Sequence, residues 1–303
     1  MRIMVCCCAG LGNKINNLIN LYHLQEKYKN SAEYYIEWVP DNHCDVNIHD
    51  VIDVKRTFEY NVTVFNSREF GNRVKYCNNV RWASTSSKEK TVWDDFDNWS
   101  KFNTVVSTSF TIFRFCAIDT VRYFLQERLK WSAHVNELVE KNKSIYNITD
   151  KTIGVHLRFG DLFEVVKQGV EDSSKVDDVK DRHHECVQMI NTDFERSSEQ
   201  IFLCSDSKEL VQQATISNNK IIKRDDNIEY PKQIDKIRIS RSHKSVIDSC
   251  VDLILLSRIN LRMFMPYSTF SIIAFLMNKQ CNNVQFKIHG NECSPKIVKI
   301  NYE

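Results

Sequence analysis

Hydrophobic and polar residues follow one another along the chain in a pattern that predicts strands alternating with helices. Residues 2–9 form an apolar run of strand length, and residues 13–27 carry their apolar side chains at helical spacing. Farther along, residues 152–158 alternate as a strand and residues 178–195 again have helical spacing. Because strands that alternate with helices form parallel sheets, the sequence predicts an α/β protein.

The remaining predicted elements complete two α/β halves. The first half adds a strand at 34–39 and a helix at 117–139. The second half continues with strands at 200–204, 220–223 and 263–265 and helices at 208–214, 246–259 and 268–277. The stretch 142–152 is polar and is the predicted linker. We therefore expect an N-terminal Rossmann-like domain over residues 1–148 and a C-terminal one over residues 149–303.

The amino-acid composition argues against a nucleic-acid partner and against a membrane span. The 303 residues include 41 Lys and Arg against 39 Asp and Glu, a net charge of +2, so no nucleic-acid partner is expected. The longest apolar stretch is interrupted by Arg262 and Pro266, so no membrane span is expected either. The first residues predict a strand instead of a signal peptide, and the 11 cysteines, a run at residues 6–8 and scattered singles, show no Cys-x-x-Cys spacing. These features predict a cytoplasmic protein and leave its oligomeric state open.

Glycines concentrate in two short segments that we expect to turn tightly or to approach a ligand closely. The chain has only seven, and the first segment, Gly10-Leu11-Gly12-Asn13, lies between the first predicted strand and helix. Main-chain amides there are suited to an anion or a sugar, although a tight turn without a ligand explains the pattern equally well. Ile15 occupies the position of the third glycine of a dinucleotide fingerprint, which disfavours a Rossmann oxidoreductase.

The second glycine segment, residues 154–161, ends a predicted strand. His156 and Arg158 share one face of that strand by its two-residue period. An arginine at the carboxyl end of a parallel strand is well placed to bind a phosphate through its planar guanidinium. The alternative is an ion pair of Arg158 with Asp161 that stabilises the turn.

A third segment, Ser268-Thr269-Phe270-Ser271, opens the last predicted helix. Hydroxyl groups and main-chain amides collect there at the positive end of the helix dipole, where a diphosphate could bind. Ordinary capping of a core helix is the alternative interpretation.

Together these segments resemble the sugar-donor motifs of the fucosyltransferase superfamily, which includes α-1,2- and α-1,6-fucosyltransferases and protein O-fucosyltransferases. Gly10-Leu11-Gly12-Asn13-Lys14 resembles its Gly-x-Gly-Asn-Arg/Gln turn, and residues 154–161 resemble its His-x-Arg-Arg-Gly-Asp motif. Residues 35–38 with Cys44, residues 202–207, and residues 251–257 through 268–271 resemble three further family segments in the family's order.

The resemblance implies a GT-B type glycosyltransferase, with two Rossmann-like domains facing each other across a cleft and the donor bound in the C-terminal half. It implies inverting, metal-independent transfer of fucose from GDP-fucose to a glycan or another hydroxyl acceptor. Arg158 would bind the β-phosphate, and His156 would shape the site. The other implied donor-binding residues are Ser268, Thr269 and Phe270 at the phosphates and nucleoside, Asp206 and Asp252 at the guanosine, and Gly12 and Asn13 from the N-terminal domain.

Two departures from the motifs keep other functions open. Phe159 replaces the second arginine and Lys14 replaces the usual Arg or Gln. The chain could therefore use another nucleotide sugar, or be a catalytically degenerate transferase fold that binds a glycan or a nucleotide. Asp161 and Glu164 are candidates for the general base because they follow the phosphate-binding segment.

Other polar clusters are predicted to have no role in the chemistry. Asp95 and Asp97 favour a solvated acidic turn, and adjacent His183 and His184 diverge by about 100° on a helix and do not share a metal easily. No metal site is therefore assigned. The basic stretch 232–244 favours a solvated surface loop over a wall of the nucleotide cleft.

Overall fold

Strands and helices alternate along much of the described part of both halves of the chain, as the hydrophobic pattern predicts. The computed structural model describes residues 1–7, 10–66, 80–84, 104–108, 117–158, 174–224, 227–233, 239–264, 268–281 and 298–299. The chain divides into two compact units, Met1–Asn136 and Glu137–Glu303. The division falls inside a helix, before the polar stretch in which the sequence placed it, and the donor and acceptor roles of the two halves stay predictions.

The first unit is built on a parallel sheet. Its strands are β1 (Arg2–Cys7), β2 (Glu33–Trp38), β3 (Val62–Phe65), β4 (Val80–Ser84) and β5 (Thr104–Thr108), in the spatial order β3-β2-β1-β5-β4. Its helices are α1 (Leu11–Tyr28), α2 (Ile48–Val51), α3 (Val54–Thr57), α4 (Ile118–Tyr123) and α5 (Ala133–Ile145), the last of which continues into the second unit. Single turns of other helix types occupy Lys29–Ser31 and Phe124–Arg128. Ile3, Met4 and Val5 of β1 are fully buried, so the apolar run that predicts this strand forms the centre of the sheet.

The helix predicted over 117–139 is interrupted in the structure. Between the turn that follows α4 and the start of α5, the chain is extended and pairs with the segment after α2. The main-chain N–H of Asp53 donates to the carbonyl of Lys130 at 2.8 Å, and that of Ser132 donates to Val51 at 2.9 Å. The spacing of apolar residues predicts one continuous helix here. Hydrogen bonds to a segment far away in the sequence hold residues 130–132 in an extended conformation instead.

The second unit contains a smaller sheet. Its strands are β6 (Ile153–Leu157), β7 (Ile201–Ser205), β10 (Asn260–Phe264) and β11 (Val298–Lys299), in the order β11-β10-β6-β7, with β8 (Lys232–Gln233) and β9 (Ile239–Ser240) forming a separate antiparallel pair. Its remaining helices are α6 (Ser174–Asp193), α7 (Lys208–Ser217), α8 (His243–Arg258) and α9 (Thr269–Met277), followed by one turn at Lys279–Cys281. β6, β7 and β10 are mutually parallel, and β11 is antiparallel. The predicted α/β class is therefore confirmed.

Two predicted strands of this unit differ from the observed ones. The stretch 220–223 forms a single parallel bridge, between Ile221 and Ile201, instead of a strand. β10 begins three residues before the predicted stretch, because Asn260 and Leu261 pair with the start of β6. Because Asn260 and Arg262 are polar, the hydrophobic pattern does not predict this part of the strand.

Gly10 and Gly154, one from each predicted segment, do not adopt a backbone conformation that only glycine favours. Gly154 lies inside β6, where a Cβ atom would come within 3.2 Å of the Cα of Leu261 on β10, so close packing explains the glycine. Gly10 precedes α1 with φ −67°, a value open to any residue, and a Cβ there would meet nothing within 4 Å. Among the described residues, no helix is both long and apolar enough to span a membrane.

Candidate functional site

The site predicted in the second unit lies where its strand order reverses. β6 has β7 on one side and β10 on the other, so the chain runs outward from β6 to β7 and later crosses to the opposite side of β6 to form β10. Open parallel sheets bind their ligands at such a switch point, beyond the carboxyl ends of the strands. Arg158 follows β6, Asp206 follows β7 and Ser268 follows β10, which brings three of the predicted residues to this edge of the sheet.

Arg158 pairs with an aspartate from the neighbouring strand. Its Nε lies 3.8 Å from Oδ2 of Asp206, and its side chain is 25% exposed. A guanidinium that is still partly open to solvent can take up an anion. Asp161 and Glu164, the candidate bases, lie outside the described residues, as does Phe159.

His156 is buried between β6 and the last helix. Its Nδ1 lies 2.5 Å from Oγ of Ser271, and its ring stacks on Phe270 with 4.7 Å between centroids. Burial lowers the pKa of His156 to about 3, the nearby charge of Arg158 acts in the same direction, and Asp206 opposes it. The imidazole is therefore neutral at neutral pH, and it shapes the site without adding charge to it.

The third predicted segment begins α9, as expected. Ser268 is the N-cap residue and its Oγ accepts a hydrogen bond from the N–H of Ser271 at 3.4 Å. Ser268 is buried, whereas Thr269 and Phe270 are half-buried in the first turn of the helix. Capping and anion binding are compatible here, because the cap satisfies one N–H of the turn and the dipole still favours a negative charge.

Asp252 takes part in a buried network that the sequence did not predict. Its carboxylate is bound by both terminal nitrogens of Arg224, with 2.8 Å between Nη1 and Oδ2. The guanidinium of Arg224 lies over the ring of Phe202, 5.1 Å from its centroid. Burial raises the pKa of Asp252 and also that of the hydrogen-bonded Cys204 thiol. Arg224 follows the predicted strand 220–223 directly, so the rule that singled out Arg158 could have found it.

Arg241 corrects the interpretation of the basic stretch 232–244. Lys232 and Lys244 are exposed, as a surface loop requires. The Arg241 side chain is only 11% exposed, however, and its Nη2 lies 4.0 Å from Oδ2 of Asp206. The prediction of a solvated loop is therefore wrong at Arg241, whose side chain turns inward beside Arg158.

These side chains line one cleft at the carboxyl edge of the sheet. Predicted residues on its wall are His156, Arg158, Asp206, Asp252 and Phe270, and unpredicted ones include Arg224, Glu229, Tyr230, Arg241 and Asp248. Its volume is about 70 Å³, whereas ligand pockets usually measure about 300–1,000 Å³. A nucleotide would therefore have to displace side chains of the wall on entering. A cavity of about 580 Å³ lies at the amino ends of the same strands, beside Ile153 and Asn260, where parallel sheets do not ordinarily bind ligands.

The predicted residues of the first unit lie in the first turn of α1. Gly12 is buried, and Asn13 is half-buried with its carbonyl accepting a hydrogen bond from Asn17. Lys14 is fully buried; its Nζ donates to the carbonyls of Cys7 and Val39 and lies 4.9 Å from the ring centroid of Trp38. Lys14 thus connects α1 to the ends of two strands. A contribution of Gly12 and Asn13 to the donor site stays a prediction.

Possible metal ligands do not cluster within the described part of the chain. No group of three or more His, Cys, Asp or Glu side chains there could hold an ion. His184 is exposed and lies 2.8 Å from the side-chain nitrogen of Gln188. Asp95, Asp97 and the side chain of His183 lie outside the described residues.

The fold of the chain corresponds to the GT-B fold of the following solved fucosyltransferase structures. Fucosyltransferase NodZ from Bradyrhizobium has this fold, with a TM-score of 0.61 and 14% sequence identity over 91% of this chain and 92% of NodZ. NodZ α-1,6-fucosyltransferase soaked with GDP-fucose gives a TM-score of 0.57 at 14% identity, over 91% of this chain and 92% of NodZ.

POFUT1 in complex with GDP gives a TM-score of 0.51 at 13% identity, over 93% of this chain and 95% of POFUT1. No protein-family model and no curated protein sequence matches the chain. The predicted resemblance to the fucosyltransferase superfamily is confirmed as a similarity of fold across about nine-tenths of the chain.

Proposed function

We propose that this protein is an inverting glycosyltransferase that transfers fucose from GDP-fucose to a hydroxyl group of a glycan acceptor, without a metal ion. The proposal joins a site in the second unit to a fold shared with fucosyltransferases, one of which was solved with GDP-fucose. The observation that carries it is the meeting of Arg158, the His156–Phe270 stack and the start of α9 at the switch point of one parallel sheet.

This arrangement suits a diphosphate leaving group. When the bond between the sugar and the phosphate breaks, negative charge grows on the departing diphosphate, and fixed positive groups aimed at it stabilise the transition state. Arg158 provides a permanent charge and a two-pronged donor, and α9 adds the positive end of its dipole. His156 stacks on Phe270 and contacts Ser271 in the first turn of α9, and its neutral imidazole adds no charge to the site.

Binding of the donor is tested first with a panel of nucleotides. Thermal unfolding of the full chain is measured with GDP, GDP-fucose, UDP-sugars and dTDP-sugars. A ligand present at about 100 times its dissociation constant adds roughly 2.7 kcal/mol to the free energy of unfolding, which shifts the melting temperature measurably. We expect the guanosine nucleotides to stabilise the protein, and stabilisation by UDP-sugars alone would contradict GDP-fucose as the donor.

Arg158→Lys then tests the chemical role. Lysine keeps the charge and loses the planar fork, so we expect turnover of GDP-fucose, followed as release of GDP, to fall about 100- to 1000-fold. The melting temperature should stay close to that of the unmodified chain. Arg258→Lys is the matched control, since Arg258 forms a surface pair with Glu140 and does not line the cleft.

The competing interpretation makes Arg158 a structural ion-pair residue. It predicts that Arg158→Lys lowers the melting temperature while the folded fraction turns over at nearly the normal rate. A protein that binds GDP-fucose tightly and neither transfers nor hydrolyses it would favour the degenerate transferase fold.

A further inference from the structure

Arg224 lines the cleft and carries two pairs of N–H donors. The terminal nitrogens Nη1 and Nη2 form one pair at the tip of the side chain, and Nε with the second hydrogen of Nη2 forms another pair along its side. The terminal pair binds the two carboxylate oxygens of Asp252. The side pair does not contact that carboxylate, and among the described residues the buried Nε has no hydrogen-bond partner.

The Nε group of Arg224 lies in surroundings that exclude water. The side chain of Arg224 is 8% exposed, and its guanidinium lies 5.1 Å from the ring centroid of Phe202. A buried N–H without a partner is rare in folded proteins, because it has lost its hydrogen bonds to water and gained no other. A ligand that brings an acceptor to Nε would restore the missing hydrogen bond, so this side of Arg224 is a candidate contact for a ligand.

Arg224 is held in position by the protein itself. Its partner Asp252 belongs to α8, and the thiol of Cys204 on β7 is hydrogen-bonded to the same carboxylate. The main chain before Arg224 runs beside β7, where the N–H of Ile222 donates to the carbonyl of Ile201 at 2.9 Å. The side pair therefore has a set direction, and little conformational entropy is lost when it meets a ligand.

The chemistry of the side pair suits one of the nucleic-acid bases. Because Asp252 already meets the charge of Arg224, the pair offers two parallel hydrogen bonds to a neutral group with two adjacent acceptors. Guanine has such an edge in its O6 and N7 atoms, whereas adenine has an NH₂ donor in the place of O6. Pyrimidines have no counterpart of N7. Tyr230, half-buried on the same wall of the cleft, adds an aromatic ring of the kind on which bases stack.

We propose that Arg224 selects the base of the nucleotide, with its Nε and Nη2 donating to the N7 and O6 acceptors of guanine. Asp252, both of whose carboxylate oxygens are bound by Arg224, acts through Arg224 as a positioning residue. This role rests on the proposed function for the presence of a guanine nucleotide, and it names the residue that distinguishes guanine from the other bases.

The first test uses nucleotide analogues and the unmodified full chain, with binding measured by calorimetry. In 7-deaza-GDP a C–H group replaces N7, and we expect it to bind about tenfold or more weakly than GDP, as for the loss of one hydrogen bond to a charged group. ADP, which places a donor against a donor, should bind more weakly still. Inosine diphosphate lacks only the 2-amino group and keeps both acceptors, so it should bind nearly as tightly as GDP.

The second test removes the fork from the protein. Arg224→Gln alone would leave the Asp252 carboxylate buried without its partner, so it is combined with Asp252→Asn. We expect this double variant to bind GDP and 7-deaza-GDP equally and to bind inorganic pyrophosphate, which has no base, as the unmodified chain does. The matched control replaces an exposed ion pair by Arg258→Gln with Glu140→Gln, and it should keep the preference for GDP. Circular dichroism checks that each variant folds.

Three outcomes overturn the role of Arg224. The first is that 7-deaza-GDP binds the unmodified chain as tightly as GDP, and this result decides the question even if the double variant does not fold. The second is that the folded double variant keeps the preference for GDP. The third is that the unmodified chain binds no guanine nucleotide.

The same measurements separate the role of Arg224 from the proposed function. If the chain prefers GDP to 7-deaza-GDP through Arg224 and transfers no fucose, the proposed function is wrong and the role of Arg224 stands. If the chain transfers fucose from GDP-fucose and binds 7-deaza-GDP as tightly as GDP, the function stands and the role of Arg224 is wrong.

Discussion

Replacement of His156 by glutamine should change how the stability of the second unit depends on pH. Burial in the folded chain lowers the pKa of His156 from 6.5 to about 3. Glutamine is neutral at every pH and can still form a hydrogen bond with Ser271. His156→Gln therefore removes the titration while it keeps the polar contact.

The direction in which pH changes the free energy of unfolding follows from whether the folded or the unfolded chain binds the proton on His156. Between about pH 6.5 and 3 the unfolded chain holds a proton on His156 and the folded chain does not, so the free energy of unfolding falls as the pH falls. The stability is fully present above the pKa of the unfolded state and is lost progressively below it. From about pH 7 to about pH 5 the lost stability amounts to about 2 kcal/mol, at a limiting slope of about 1.4 kcal/mol per pH unit.

Urea unfolding of the unmodified chain and of His156→Gln at a series of pH values measures this difference. We expect the unmodified chain to lose about 2 kcal/mol more than the variant over that range. His184→Gln, which replaces an exposed histidine of the same unit, is the matched control for a histidine-to-glutamine change. Equal pH dependence of the unmodified chain and His156→Gln, or an NMR titration of the His156 ring with its midpoint near the ordinary value, would refute the reasoning.

Three further predictions concern packing and the role of metals. Gly154→Ala brings a methyl group within 3.2 Å of the Cα of Leu261 and should cost about 1–3 kcal/mol in urea unfolding, whereas Gly10→Ala, with open space around the new carbon, should cost less. Lys14→Met removes the charged Nζ donor that reaches the carbonyls of Cys7 and Val39, at about 1.5–3 kcal/mol for each lost hydrogen bond, and an unchanged melting temperature would contradict that role. Transfer of fucose should persist in excess EDTA, because Arg158 and helix amides meet the charge of the diphosphate; activity that is lost and then restored by magnesium or manganese would show this to be wrong.

The sequence by itself determined the features that depend on neighbouring residues. The apolar run of β1, the alternation of β6 and the long apolar stretch of α8 are patterns that can be read within a few neighbouring positions of the chain. The capping serines follow the same rule, since Ser207 and Ser268 each accept from the N–H three residues later. Arg158 could be singled out because its place at a strand end is also a local property.

The tertiary structure alone decided which charged groups meet. Arg224 and Arg241 lie far from Arg158 in the sequence, and no periodicity relates them, yet the folds of their segments bring all three to one cleft. The break between α4 and α5 has the same origin, in hydrogen bonds between segments widely separated along the chain. A sequence pattern shows whether a segment repeats with the period of a strand or of a helix. The charge and the pKa values of a site depend on distances through space, and only the folded chain sets those distances.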